Sequence, residues 1–265
     1  MRLPGPGRFF VLSGLAMILV VAFSGCSAAG PGGDGLEGTV LVSAAASLGN
    51  AFADIEAAFE ELHPRVDVVL NLGASSTLRE QILEGAPADV FASANQSNMA
   101  MLVEAGDVAG EPTVFAHNLL QIVVPAGNPA GVAGLADFGR EELLIGLCAE
   151  GAPCGEGART ALHNAGVTPV IDTAEPDVRA LITKIEAGEL DAAITYLTDV
   201  FAAGGTVDGV EIPQDVNVIA EYPIALMKEV ANQAVASAFV EFVLSPVGQA
   251  ILQKHGFQPL TATSR

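Results

Sequence analysis

Ala44-Ala45-Ala46-Ser47-Leu48 (AAASL) joins residues 39–43 (TVLVS) to a segment in which Phe52, Ile55, Phe59 and Leu62 recur at steps of three and four. The first stretch reads as a β-strand and the second as a helix by periodicity. Ser47 stands where an N-cap belongs, and the small residues before it let a ligand approach the backbone closely. A helix start carries unpaired N–H groups and the positive end of the helix dipole, so a joint of this kind is a ready anion site. The arrangement returns after a second strand over residues 66–72. There Gly73-Ala74-Ser75-Ser76-Thr77-Leu78 (GASSTL) opens a helix over residues 77–84, with Thr77 and Glu80 at capping-box spacing and Leu78 and Ile82 on its buried face. One such serine is ordinarily only a cap. Two of them at the ends of neighbouring strands can converge on a single small anion.

Downstream, strands and helices alternate almost throughout, the pattern of an α/β protein with largely parallel sheets. Residues 88–94 (ADVFASA) read as a strand and 96–105 as a helix closed by Gly106. Residues 118–125 (NLLQIVVP) are apolar on both faces and so read as a central strand, followed by a turn-rich stretch over 127–134. Residues 143–148 read as a strand, 156–164 as a helix ended by Gly166, and 170–171 as a short strand. Pro176 opens a helix carrying Val178, Leu181, Ile182 and Ile185. A strand over 192–196 (AAITY), a loop over 204–209, a strand over 216–220 and an extended return over 222–227 precede two final helices, 232–244 and 247–255. The natural partition is two lobes, 38–117 plus 222–265 and 118–221. The chain then crosses between them twice, near His117-Asn118 and near Glu221-Tyr222-Pro223, which makes a hinge and a closing cleft.

The extreme N-terminus belongs to no fold. Arg2 and Arg8 precede an apolar run over 9–23, and Ser24-Gly25-Cys26 follows, so residues 1–25 read as a signal peptide ending at a cysteine. The pattern resembles the bacterial lipobox, with Phe23 standing where that pattern prefers Leu; Cys26 would be the lipidated residue. The alternative, an uncleaved single-pass anchor, suffers from a run too short to span a bilayer. Residues 26–37 are then a Gly-rich tether, and the chain is exported and lipid-anchored on the extracytoplasmic face.

The chain of 265 residues carries a formal charge of −20, and losing two leader arginines leaves −22. That excludes nucleic acid and polybasic membrane binding as main partners. It does not exclude an anion ligand: exposed charges are screened beyond about 8 Å at physiological salt, and inside a cleft local dipoles decide. With Cys26 committed to lipid, Cys148 and Cys154 remain as an even pair outside the reducing cytoplasm, which favours a disulfide over two buried thiols. No HxxxH or CxxC occurs, and His63, His117, His163 and His255 are scattered, so no resident metal or cofactor is indicated.

More candidate ligand groups come from the second half. Pro153-Cys154-Gly155 precedes one helix, Asp177-Val178 starts the next, and Tyr196 ends a strand with a hydroxyl. Taken together, AAASL (44–48), GASSTL (73–78), EGAPADVFASA (84–94), PCG (153–155), DVRAL (177–181) and EYPIAL (221–226) resemble, in order and spacing, the periplasmic molybdate-binding proteins of ABC importers. The resemblance runs from about Gly38 to Leu260. It implies a two-lobed type II solute-binding fold, with the oxyanion held by two serines, a tyrosine and backbone N–H groups. Carried onto this chain these are Ser47, Ser75, Tyr196 and the N–H groups of Cys154 and Val178, with Ser76 open as the alternative to Ser75. The same resemblance implies a permease as membrane partner, a monomer, and molybdate or tungstate as ligand. Molybdenum would enter only inside its oxyanion.

Those groups suit that ligand. A tetrahedral dianion accepts many hydrogen bonds and donates none, and hydroxyls with N–H groups supply donors without a costly buried cation. A site made only of donors rejects protonated oxyanions, whose O–H would go unpaired at about 1–3 kcal/mol. Sulfate, fully ionised and chemically similar, is harder to reject and is disfavoured only because its smaller size would stretch the hydrogen bonds, so sulfate or thiosulfate remains the alternative ligand. Arg79 and Arg179, nearest the motifs, read as helix-face or inter-helix residues rather than counter-charges. No ligand side chain titrates near neutrality, so affinity is expected to be flat between about pH 6 and 8. Hydrolase chemistry is disfavoured because no G-x-S-x-G surrounds Ser47 and no histidine completes a triad.

Overall fold

A computed structural model of the chain describes Met1 and residues 35–258. Apart from Met1, the leader, Cys26 and most of the tether lie outside the described residues. Leu36 already packs on the core and Glu37 already accepts a hydrogen bond from Asn232, so the chain joins the fold just before residue 38.

The order of elements is β1 (Gly38–Ala45), a 3-10 turn (Ala46–Leu48), α1 (Gly49–Leu62), β2 (Val66–Gly73), α2 (Ser75–Leu83), β3 (Val90–Ala92), α3 (Gln96–Ala105) and β4 (Val108–Pro125). A second 3-10 turn (Leu135–Gly139) then leads to β5 (Ile145–Cys148), α4 (Pro153–Asn164), β6 (Thr173–Glu175), α5 (Val178–Glu186), β7 (Ala192–Tyr196) and α6 (Leu197–Ala202). The chain finishes with β8 (Val207–Glu211), β9 (Ile219–Met227), α7 (Gln233–Leu244) and α8 (Pro246–Lys254). Among the described residues no single helix is long and apolar enough to cross a membrane.

The strands run in the order β2-β1-β3-β9-β4-β7-β5-β6, with β8 added to β4. Within this array β1 lies parallel to β2 and β3, and β5 lies parallel to β6 and β7. The two parallel groups meet through β4 and β9, which are antiparallel to each other. Residues 108–119 of β4 pair with β9, while residues 120–125 pair with β7 and β8. One strand therefore serves two sheets, and the α/β fold is two-lobed. The first half is cored by Phe52, Phe59, Phe115 and Phe239, whose rings meet at 5.4–6.2 Å between centroids. In the second half the fully buried β5 and β7 lie under Leu181 and Ile185 of α5.

Local chemistry sets most helix boundaries. Asn95, Asp177, Asn232 and Ser245 cap α3, α5, α7 and α8 by accepting from backbone N–H groups, and Pro246 occupies the first turn of α8. Gly106 ends α3 at φ 76°, a left-handed conformation that glycine adopts without strain.

Several expectations are corrected. Ser47 is not an N-cap: it lies inside the 3-10 turn, and its hydroxyl is engaged with the Tyr222 hydroxyl at 2.9 Å. α2 begins at Ser75, two residues early, so Thr77 and Glu80 make no capping box. Pro176 stays outside α5 because Asp177 takes the cap. Residues 170–171 are half exposed and unpaired in the sheet, and β6 forms instead at Thr173–Glu175. The stretch 216–218 is not strand: the Asn217 side chain bonds to both the N–H and the carbonyl of Leu120, doing locally what a ladder would do. The loop expected at 204–209 gives way to β8 from Val207 onward. The largest omission is residues 108–117 of β4, where Gly110, Glu111 and Pro112 break the apolar pattern and the pairing with β9 shifts register twice.

Candidate functional site

The five residues singled out from the sequence line one cavity. Ser47, Ser75, Cys154, Val178 and Tyr196 all face an enclosure of about 220 Å3, its mouth included, and all five are buried. Each sits just beyond the carboxyl end of a parallel strand: Ser47 after β1, Ser75 after β2, Cys154 after β5, Val178 after β6 and Tyr196 at the end of β7. This is where open α/β sheets place their ligands, because the following helices all turn their N-termini there. Of the two neighbouring serines, Ser75 lines the cavity and Ser76 does not.

The two halves contribute different kinds of donor. Ser75 opens α2, and its Oγ accepts the Ala94 N–H at 3.0 Å, so its own proton is free to point into the cavity. Ser47 is held from behind by Tyr222, whose hydroxyl also accepts from Asn118 Nδ2 at 3.3 Å. Asn118 Nδ2 donates at the same time to Thr198 Oγ1 at 2.8 Å. From the second half come two helix starts and the Tyr196 hydroxyl. Cys154 is the second residue of α4 and Val178 the first of α5, positions whose N–H groups have no carbonyl one turn back. The Asp177 carboxylate accepts from Arg179 N and Ala180 N, which leaves the Val178 N–H for the cavity.

Close packing holds the α4 start in place. A Cβ on Gly155 would lie 2.0 Å from the Ala149 carbonyl oxygen and 2.7 Å from that of Cys148. Only glycine lets the first turn of α4 lie directly on the end of β5. The same two segments are joined by a disulfide between Cys148 and Cys154, whose Cα atoms are 5.8 Å apart.

Among the described residues no Lys, Arg or His lines the cavity, and its one acidic lining residue is Asp177, whose carboxylate is taken up by the N–H groups of Arg179 and Ala180. Burial raises both tyrosine hydroxyls well above their ordinary range, aided at Tyr196 by the neighbouring Tyr222 and Asp199, so both stay protonated. Arg79 turns away to Asn98 and Glu80. Arg179 reaches from α5 to Asn50 and to the Ala46 carbonyl, outside the cavity. Among the described residues no cluster of His, Cys, Asp and Glu could hold a metal ion.

Sequence reasoning missed the groups behind the wall. Tyr222, Asn118 and Thr198 are fully or almost fully buried and orient Ser47, yet they lie 71 to 175 residues from it in the chain, with the Ser47–Tyr222 bond spanning 175. Asp199 was missed too. It accepts from the Tyr196 N–H at 3.0 Å, and burial lifts its carboxyl from 3.8 to about 7. A group titrating near neutrality thus stands directly behind the tyrosine, which the expectation of pH-independence left out. The one visible signal was its position three residues after Tyr196, at capping spacing.

Comparison with known proteins agrees with the geometry. A model of the bacterial extracellular solute-binding protein family matches residues 40–258. The chain is 35% identical over 261 residues to the molybdate-binding protein ModA of Mycobacterium tuberculosis, covering 97% of this chain and 99% of that one. It is 34% identical over 235 residues to ModA of Escherichia coli, covering 83% and 89%. The periplasmic molybdate-binding protein of Azotobacter vinelandii shares the fold at a TM-score of 0.71 and 20% identity, over 83% of this chain and 98% of that one. With a donor-lined cavity fed from both halves, the chain belongs to the bacterial extracellular solute-binding proteins, alongside ModA, and its work is to hold a solute rather than to transform one.

Proposed function

We propose that this chain captures molybdate, and tungstate with it, between its two halves and delivers the oxyanion to the permease of an ABC importer. One observation carries the reading: a small buried cavity lined by three hydroxyl side chains and two helix starts, with no cation in its wall. The ligand groups are the hydroxyls of Ser47, Ser75 and Tyr196 and the N–H groups of Cys154 and Val178. Five donors from two halves match an acceptor that presents four oxygens and no proton. Phosphate, which carries a proton near neutrality, would leave that proton unpaired at a cost of about 1–3 kcal/mol. Sulfate satisfies the charge requirement, but its shorter bonds would stretch every contact in a wall spaced for the larger ion.

In this reading the lobes are 38–117 plus 222–265 and 118–221, and β4 and β9 are the crossing strands. Residues 1–25 direct export, Cys26 carries the lipid, and the monomer works tethered on the extracytoplasmic face of the cell membrane. Capture there needs no resident cofactor.

The test is a thermal-shift titration of residues 37–265 against molybdate, tungstate, sulfate and phosphate. A ligand that binds only the folded state stabilises by about 2.7 kcal/mol at a hundredfold excess over Kd. Shifts with molybdate and tungstate alone support the reading. A shift with sulfate alone would replace the ligand, and no shift with any of the four would remove the functional conclusion.

A further inference from the structure

Two polar contacts join the halves beside the cavity, and none of the side chains that make them lines it. In one, the Arg179 guanidinium, on α5, donates from Nη2 to Asn50 Oδ1 at 2.7 Å and from Nε to the Ala46 carbonyl at 3.3 Å. Arg179 directly follows Val178, and Ala46 directly precedes Ser47. This contact therefore fixes the α5 donor against the first serine. In the other, the Glu156 carboxylate, on α4, accepts from Asn95 Nδ2 at 2.7 Å and from Ser97 Oγ at 3.2 Å. Glu156 lies two residues after Cys154, and Asn95 follows Ala94, whose N–H is bound to Ser75. This second contact fixes the α4 donor against the second serine.

We propose that Arg179 and Glu156 are positioning residues that clasp the two walls around the bound oxyanion and set how long it stays. The inference rests on the binding reading above. Each clasp joins a helix-start donor on one wall to a serine on the other, so opening the cavity breaks both clasps, and a clasp that fails lets the walls part. Opposite charge signs do the same task in the two contacts, which argues for mechanical closure rather than attraction of the anion. Glu156 could not attract it, and Arg179 spends its donors on Asn50 and Ala46. The site also makes room for the arginine: a Cβ on Gly49 would lie 2.8 Å from Arg179 Nη2. Glycine at the start of α1 is costly for a helix, and here it admits the guanidinium.

The contacts exist only when the walls are together, so their loss should appear in the release rate and not in the capture rate. The test measures capture and release of labelled oxyanion, chased with excess unlabelled anion, using whichever of molybdate, tungstate or sulfate shifts the melting point of the wild type. Arg179→Met and Glu156→Gln should each speed release by about three- to tenfold, the effect of losing an ordinary net hydrogen-bonding contact, and the double variant by about the product. Gly49→Ala should reproduce the Arg179→Met effect without altering any ligand group; its Cβ otherwise meets only the end of the Leu72 side chain, at 3.2 Å, so the melting point without ligand stays close to that of the wild type. Unchanged release in both single variants, slower capture instead of faster release, or an equal fall in melting point with and without ligand would each overturn the clasp while leaving the binding reading intact. A wild type that shifts with no oxyanion would overturn both.

Discussion

The two walls of the cavity are built on different principles. The first-half wall presents side-chain hydroxyls, and each is aimed by a partner from elsewhere: Ser47 by Tyr222, Ser75 by the Ala94 N–H. The second-half wall presents backbone N–H groups at the starts of α4 and α5, aimed by packing and by the Asp177 cap, with the Tyr196 hydroxyl as its one side-chain donor. A hydroxyl wall depends on what the residue is and on what stands behind it. An N–H wall depends on where the backbone lies and is nearly indifferent to the side chain. Substitutions should therefore divide sharply between the two, and the following outcomes would break or sharpen that division.

The largest expected effect lies behind Tyr196. Burial lifts the Asp199 carboxyl from 3.8 to about 7, so between these values the folded chain keeps a proton that the unfolded chain has released. The stability contributed by this group is full below pH 3.8, falls as pH rises toward 7, and is level above it, for a total on the order of 4 kcal/mol. Asp199→Asn keeps an acceptor for the Tyr196 N–H and cannot ionise. Urea unfolding at pH 5 and pH 8 should show the variant gaining on the wild type at the higher pH; parallel curves would place the carboxylate in a wetter setting.

Gly155→Ala comes next. Two carbonyl oxygens stand where its Cβ must go, so about 3 kcal/mol of stability should be lost in denaturant unfolding, and oxyanion binding with it. A neutral result would mean that the α4 start can move without consequence, and the N–H wall would lose its basis. Ser47→Ala follows, costing about 2 kcal/mol of binding in calorimetry by removing a donor and orphaning the Tyr222 hydroxyl. Tyr222→Phe leaves Ser47 in place but unaimed, and about 1 kcal/mol is expected. If it equals Ser47→Ala, the aiming matters as much as the donor. Smallest is Val178→Ala, with less than about 0.5 kcal/mol of affinity lost, because every residue except proline brings the same N–H.

The same division explains what could be read without coordinates. Helix-start motifs are local, so AAASL, GASSTL, PCG and DVRAL disclosed four wall residues, and the strand end AAITY disclosed the fifth, Tyr196. The stop at Gly106 and the full length of β7 were legible for the same reason. Ser47's own role was not, because its partner Tyr222 is 175 residues away, and a serine at a joint looks like a cap until that hydroxyl is seen. Asn118, Thr198 and Asp199 stayed hidden as ordinary polar residues, since burial with a partner is a tertiary fact. Residues 108–117 hid because their strand is irregular: Gly110 and Pro112 are turn residues in any short window, and only the long pairing with β9 overrides them. Asn217 reversed the error, ending a strand by replacing its ladder with a side chain.

The pairing of β4 with β9 has one more consequence. Two independent linkers would act as a ball joint, with freedom to swing and to twist. Hydrogen-bonded neighbours running antiparallel from residue 108 to residue 119 form instead a single ribbon, and a ribbon bends about one axis. A rotation of one half against the other then has one coordinate, so a single pair of reporter dyes, one on each half, would read the whole trajectory as one distance. The chain is in that sense a ready scaffold for an optical sensor of the solute it holds.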